Sequence, residues 1–159
     1  MNILEFQETF PDIPLHVAEK VQPILASEQD GVLTLHSGPR AGDRAYFDTE
    51  DGSEHFVVYS RELAGVDYIW IQYGDWVRVY GTDTEAPTGF EDNYVELSRS
   101  VTTLIADGGT GDDTIDASGL VGVAVQLTGG LGNDELLAGS AGGVLAGGAG
   151  DDTDRKSVV

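Results

Sequence analysis

Three copies of one six-residue pattern decide the fold of this chain: Gly129-Gly130-Leu131-Gly132-Asn133-Asp134, with its counterparts at Gly108–Asp113 and Gly147–Asp152. Each copy has glycine at its first, second and fourth places and aspartate at its sixth. In the first two copies an apolar residue, Ile115 or Leu136, follows two places later. One such unit cannot bury its apolar residue alone, so the pattern predicts units that stack on one another.

The residue types in this pattern suit a calcium ion. Ca²⁺ takes about six to eight oxygen ligands, drawn from carboxylates and main-chain carbonyls. Glycine permits a positive φ, so a loop rich in glycine can turn several carbonyls toward one point, and the aspartate adds charge. A glycine-rich flexible linker is the alternative, but it would not place aspartate three times at the same offset. The candidate metal-site residues are Gly108, Gly109, Gly111, Asp113, Gly129, Gly130, Gly132, Asp134, Gly147, Gly148, Gly150 and Asp152.

On these motifs, residues 105–154 resemble the repeats-in-toxin (RTX) family, whose members carry haemolysin-type calcium-binding repeats. The resemblance implies a parallel β-roll in which loops 18 residues apart lie one above the other. The loops here start at residues 108, 129 and 147, so the second interval fits and the first contains three additional residues. We expect one ion between the loops of Asp113 and Asp134 and another between those of Asp134 and Asp152. The opposite edge, residues 117–122 and 138–143, has no acid and should bind none.

The composition excludes several classes of binding partner and several kinds of site. Its 159 residues carry 28 acidic against 8 basic side chains, a formal net charge of −20, which argues against nucleic acid and anionic membrane surfaces. No cysteine is present, so disulfides and thiolate metal sites are excluded. No apolar run is long enough to predict a membrane span. The first residues lack the features of a signal peptide. The resemblance nevertheless implies a secreted protein exported by type I secretion.

A change of composition near residue 100 predicts two domains. All thirteen aromatic residues lie between Phe6 and Tyr94, whereas 14 of the 22 glycines follow residue 100. We therefore expect an all-β protein, with a small β-sandwich or barrel in residues 1–100 and a short parallel β-roll in residues 101–159. Without calcium, repulsion among the acids should leave the residues after about 105 largely disordered.

Short β-prone runs mark the strands of the first hundred residues. We predict a strand at 31–36, a hairpin joining 44–48 to 55–59, and a second hairpin joining 67–73 to 76–80. Residues 18–26 fit a short helix or a strand. The acidic run 48–54 is interpreted as a hairpin turn that faces water rather than as another calcium loop.

A cluster of rings and one cation on the second hairpin is a candidate sugar- or peptide-binding platform, although clustered aromatics more often belong to a core than to a site. Its members are Tyr73, Trp76, Arg78 and Tyr80.

These patterns favour a non-enzymatic, secreted calcium-binding protein whose N-terminal β-domain contacts a surface or a glycan. No zinc-protease, serine-hydrolase or phosphate-loop motif is present, so no catalytic residue is assigned, and enzyme activity is left open. One alternative is a secreted hydrolase with catalytic acids among Asp43, Asp48, Glu50 and Glu54. Another is a fragment of a large RTX adhesin or toxin, with an apolar patch near Leu145.

Overall fold

The computed structural model describes residues 24–44, 48–63, 66–74, 76–81 and 101–156. In these ranges the chain is all-β, as predicted, apart from one 3-10 helix at Gly38–Arg44, and it contains no helix that is long and apolar enough to cross a membrane. The strands are β1 Ala26–Gln29, β2 Val32–Leu35, β3 His55–Leu63, β4 Val66–Tyr73, β5 Trp76–Gly81, β6 Thr103–Asp107, β7 Thr114–Gly119, β8 Ala124–Leu131, β9 Glu135–Leu137, β10 Gly143–Ala149 and β11 Thr153–Arg155.

The strands after residue 100 coil between two sheets. Strands β6, β8 and β10 lie parallel in one sheet, and β7, β9 and β11 lie parallel in the other. One turn of the coil is therefore a strand in the first sheet followed by a strand in the second. Leu104 pairs with Val125, and Val125 pairs with Gly143, so the strands repeat at the same two intervals as the glycine loops.

Strands from before residue 100 extend both of these sheets. Strand β2 lies parallel to β6, and β3 lies parallel to β7. Antiparallel strands extend each sheet further. Strand β1 pairs with β2 in one sheet, and in the other β4 pairs with β3 and β5 pairs with β4. The described strands on either side of residue 100 thus share two sheets, and a separate N-terminal sandwich or barrel is not found among them.

One apolar core runs through all these turns. Side chains alternate between the two faces of a strand, so the inward residues of stacked strands form columns, such as Leu104 beside Val125 and Ile115 beside Leu136. Phe56 continues the column of Ile115 into β3. The core thins at the last turn, where every residue of β11 is exposed.

Of the two predicted hairpins, one is confirmed and one is wrong. Tyr73 pairs with Trp76 across the tight turn between β4 and β5. The hairpin joining 44–48 to 55–59 does not form, because β3 uses one edge to pair with β4 and the other to pair with β7. Arg44 ends the 3-10 helix instead. Only residues 24–26 of the 18–26 segment are described, and the rest of that prediction lies outside the structure.

Candidate metal centre

The three glycine loops lie one above another at one corner of the coil. The amide of Leu131 donates to the carbonyl of Gly109 at 2.8 Å, and the amide of Gly132 donates to the carbonyl of Ala149 at 3.0 Å. A parallel bridge joins Thr110 to Leu131. The predicted stacking of the loops is therefore confirmed as backbone geometry.

This stacking requires glycine at the second and fourth places of a loop. In the middle loop Gly130 has φ +99° and Gly132 has φ +121°, in the left-handed region that side chains disfavour. A Cβ on Gly130 would lie 2.2 Å from the carbonyl oxygen of Gly109, and one on Gly132 would lie 2.0 Å from that of Gly111. The candidate glycines thus let neighbouring main chains touch.

The sixth-place aspartates form a ladder along this corner. The amide of Asp113 donates to Oδ1 of Asp134 at 2.8 Å, and the amide of Asp134 donates to Oδ1 of Asp152 at 2.9 Å. Each carboxylate therefore binds the main chain of the preceding turn. Asp113 and Asp134 are 1 % and 2 % exposed, so the ladder brings two of the three predicted aspartates into the interior, and Asp152 at its end is half-buried.

The second oxygen of each interior carboxylate is left over. Oδ2 of Asp113 and Oδ2 of Asp134 are buried and have no hydrogen-bond partner. A buried polar atom without a partner costs about 1–3 kcal/mol, and more when it is charged. Two such atoms at equivalent places of successive turns are a feature of the repeat rather than an isolated defect.

Main-chain carbonyls approach these leftover oxygens. The position that a Cβ of Gly108 would occupy lies 2.6 Å from Oδ2 of Asp113 and 2.5 Å from the carbonyl oxygen of Gly129. One turn on, the Cβ position of Gly129 lies 2.4 Å from Oδ2 of Asp134 and 2.5 Å from the carbonyl oxygen of Gly147. A carboxylate oxygen and a carbonyl oxygen of the next loop therefore face the same small space in both turns.

Burial at this corner disfavours the ionised form of the aspartate carboxylates. Burial raises the pKa of Asp113 to about 7, assisted by the charges of Glu54, Asp134 and Asp51 and opposed by the amide of Glu54. Burial likewise raises the pKa of Asp134, with added repulsion from Asp152 and Asp112. A positive charge would relieve both carboxylates.

A second ladder, which sequence reasoning missed, runs beside the first. The amide of Asn133 donates to Oδ1 of Asp112 at 2.8 Å, and the amide of Asp151 donates to Oδ1 of Asn133 at 2.9 Å. At the start of this ladder the amide of Asp112 donates to the hydroxyl of Ser53 at 3.0 Å. The signal was available, because the fifth place is Asp or Asn in all three copies.

The acidic run 48–54 supplies a fourth loop to the stack. The amide of Glu54 donates to Oδ1 of Asp113 at 2.8 Å, which repeats the bond of the aspartate ladder. The amide of Thr110 donates to the carboxylate of Asp51. Glu54 is 4 % exposed, so the prediction of a solvated hairpin turn is wrong for this residue. The sequence signal is Gly52-Ser53-Glu54-His55-Phe56, which matches 111–115 in having glycine, a polar residue, an acid, any residue and an apolar residue.

Glu54 differs from the aspartates in having partners for both carboxylate oxygens. The amide of Gly38 donates to Oε1 at 2.8 Å, and Nη1 of Arg44 donates to Oε2 at 2.5 Å. Burial raises the pKa of Glu54, while the bonds from Arg44 and Gly38 act in the opposite direction.

Neutral hydrogen bonds build the opposite corner of the coil. The amide of Ser140 donates to the carbonyl of Leu120, and the amide of Gly142 donates to that of Gly139, both at 3.0 Å. The hydroxyl of Ser140 accepts from the amide of Gly122 at 3.2 Å. The two corners therefore differ in charge, and ionised groups concentrate where the glycine loops stack.

The groups at the glycine corner that could hold a hard cation are mainly oxygens of the backbone. No group of three or more His, Cys, Asp or Glu side chains converges within the described ranges. A metal at this corner would be held by one or two carboxylates per turn together with loop carbonyls, which are ligands that Ca²⁺ accepts.

Of the predicted platform residues, Tyr73 alone has a described side chain. The ring of Tyr73 stacks on Phe56 at 4.6 Å and lies over the guanidinium of Arg44 at 4.7 Å. The backbones of Trp76, Arg78 and Tyr80 pair with Tyr73, Ile71 and Ile69 in β4, and their side chains lie outside the described part. The ligand platform stays a prediction.

The side chains of the four acids of the hydrolase alternative have different partners. Asp43 pairs with exposed Arg40 at 3.2 Å, Asp48 accepts from the hydroxyl of Tyr73, and Glu50 is exposed. Glu54 is buried against Arg44. No pair of catalytic carboxylates is formed by these side chains.

Comparison with protein-family models, with curated proteins and with solved structures returned no match to this chain. The assignment of a function therefore depends on the sequence motifs and on the geometry of the glycine corner.

Proposed function

We propose that this chain is a secreted calcium-binding protein, in which residues 101–156 form an RTX-type parallel β-roll that Ca²⁺ locks into its folded form. The observation that carries the proposal is the pair of buried, unpartnered oxygens, Asp113 Oδ2 and Asp134 Oδ2, at equivalent places of stacked loops. Each faces a carbonyl oxygen of the next loop. A hard divalent cation supplies what these groups lack, namely positive charge and coordination by oxygen.

Two ions follow from this arrangement. One lies between the loops of Asp113 and Asp134, and the other lies between those of Asp134 and Asp152. Asp134 lies on the loop that is common to both. Extracellular calcium modules bind with Kd of about 10⁻⁴–10⁻³ M, which suits a chain that stays unfolded where calcium is scarce and folds outside the cell. Export by type I secretion is the route that the RTX resemblance implies.

The test is a calcium titration of the full chain followed by circular dichroism, with Asp134→Asn beside Glu135→Gln. Asparagine keeps an oxygen for the amide of Asp113 but replaces the charged ligand, whereas Glu135 is an exposed neighbour with the same formal charge. We expect chelation to remove β-structure from the wild type. Asp134→Asn should shift the calcium midpoint by about tenfold or more, since charge count among the ligands sets affinity. A wild type that keeps its spectrum in chelator, or equal midpoints for the two variants, contradicts the proposal.

The last turn favours a second candidate, part of a longer RTX adhesin or toxin. Among the described strands β10 pairs with β8 alone and β11 with β9 alone, so each has one unpaired edge. Val144 beside this edge is 65 % exposed. A further turn stacked here would cover the unpaired edges of β10 and β11 and the side chain of Val144. Sedimentation of the calcium-loaded chain separates the candidates, because an uncovered edge of this kind promotes concentration-dependent association.

A further inference from the structure

The loop 48–54 is the first of the stack in chain order. It carries an acid in the register of the metal-site aspartates, but the charge of this acid is already compensated. Glu54 donates its amide to Asp113 Oδ1 as Asp113 does to Asp134, and its neighbour His55 pairs with Thr114. Glu54 therefore stands at the sixth place of the pattern, one turn before Asp113. In each of the next two turns one carboxylate oxygen at this place lacks a hydrogen-bond partner, whereas both carboxylate oxygens of Glu54 have one.

The partner is a fully buried arginine. The side chain of Arg44 is 0 % exposed, and its Nη1 lies 2.5 Å from Oε2 of Glu54. The guanidinium also donates to three carbonyl oxygens, those of His36 at 3.0 Å, Asp48 at 2.6 Å and Glu50 at 3.1 Å. One carboxylate and three carbonyls are the same kinds of oxygen that a calcium site offers.

Aromatic rings hold this guanidinium in place. It lies 4.7 Å from the centre of the Tyr73 ring and 6.0 Å from that of Phe56. Tyr73 is fixed in turn by its hydroxyl, which donates to Asp48. A planar guanidinium with five donors can bond the carboxylate and all three carbonyls from one position, whereas the ammonium of lysine has three donors.

We infer that Arg44 is the internal cation of the first turn: it supplies to Glu54 the positive charge that calcium supplies to Asp113 and Asp134. This inference rests on the proposed calcium function for the later turns. It sets the boundary of the metal sites, because the loop 48–54 needs no ion. It also makes the first turn a preformed template, on which the turns after residue 101 fold as their ions bind.

Direction follows from this arrangement. Each sixth-place aspartate binds the amide of the turn before it, so each turn of this ladder closes on its predecessor. The first turn, which Arg44 stabilises, is ordered without metal, and it presents the amide of Glu54 to Asp113. Calcium-dependent folding of the roll therefore starts at Asp113 and proceeds toward Asp152.

The experiment is hydrogen exchange of the full chain in chelator and in calcium, read by mass spectrometry on peptides covering residues 54–60 and 113–137. In chelator the wild type should keep protection at 54–60 while 113–137 exchanges rapidly. Arg44→Gln should lower protection at 54–60 in chelator by about 100-fold, because it leaves a buried carboxylate unpaired. Arg40→Gln is the matched control, since this exposed residue of the same 3-10 helix loses the same charge.

The wild-type measurement needs no variant to fold, so it decides the inference even if Arg44→Gln is unstable. Loss of protection at 54–60 in wild-type chelated protein overturns it, as does Arg44→Gln protection within about threefold of Arg40→Gln. Failure of the calcium function looks different. In that case 113–137 exchanges equally in both conditions, while the comparison of the two arginine variants at 54–60 still tests Arg44.

Discussion

The amide of Asp113 donates to Oδ1 of Asp134 at 2.8 Å, so a carboxylate of one turn closes on the main chain of the turn before it. The bond leaves one oxygen of Asp134 for another partner, and that oxygen is buried. The same residue thus joins two turns and leaves an unpartnered oxygen that faces the carbonyl of Gly147 in the next loop.

Substitution along the ladder should have graded effects. Asp134→Asn should weaken both ions, whereas Asp152→Asn should weaken one, because Asp152 ends the ladder and is half-buried. Calorimetric titration with calcium should show two sites in the wild type, one weakened and one unperturbed site in Asp152→Asn, and two weakened sites in Asp134→Asn. Equal losses in the two variants would contradict the shared position of Asp134.

Glycine at the fourth place should be needed for space as well as for its dihedral angles. Gly132→Ala places a Cβ 2.0 Å from the carbonyl oxygen of Gly111, whereas Gly122→Ala has a positive φ of +74° but meets nothing within 4 Å. We expect Gly122→Ala to cost about 1–2 kcal/mol from backbone strain alone. Gly132→Ala should cost more, about 3 kcal/mol or above. Urea unfolding in calcium measures both, and equal costs would show that the close approach is unimportant.

Calcium affinity should fall below neutral pH. The pKa of Asp113 is raised to about 7 in the metal-free fold, so near pH 6 an ion that binds this fold displaces a proton from it. The stability of the metal-free fold itself has the opposite pH dependence: as pH rises from about 4 toward 7 the unfolded chain loses this proton first, so the free energy of unfolding declines. Titrations at pH 6 and pH 8 should give the weaker binding at pH 6. Asp113→Asn should reduce this difference, and an unchanged difference would assign the proton to another group.

The columns of the core should govern the stability of the calcium-loaded chain. Leu136 is fully buried between Ile115 and the last turn, so Leu136→Ala should cost about 2–5 kcal/mol through lost burial and a cavity. Val121 is 67 % exposed at the opposite corner, and Val121→Ala should change stability by less than about 0.5 kcal/mol. Thermal unfolding in excess calcium compares the two, and similar melting temperatures would refute the packing described.

The periodic part of the fold could be predicted because its determinants are local. Glycine and aspartate recur at fixed offsets, and stacking then follows from the interval alone, as with Asp134 and Asp152. The turn between Tyr73 and Trp76 was likewise visible in a short window. A comparable signal at Asp30-Gly31, where both residues have positive φ, joins β1 to β2 and was overlooked.

The partners of the first turn could not be predicted, although Gly52–Phe56 matches 111–115, because its contacts join distant segments. Glu54 binds a residue 59 positions later, and nothing in the composition of the acidic run distinguishes such a partner from water. Arg44 is equally hidden, since a buried arginine resembles an exposed one in sequence. Only the register of β3 against β7 places it beside the ladder.

The close main-chain contact between Gly111 and Gly132 has a consequence for how such a chain changes over generations. A side chain at the fourth place of these loops has no room, so few point substitutions are tolerated there. Each turn meets chiefly its neighbours, however, and gain or loss of whole turns leaves the remaining contacts intact. Duplication of 18-residue segments is therefore the natural way for this architecture to lengthen and diversify.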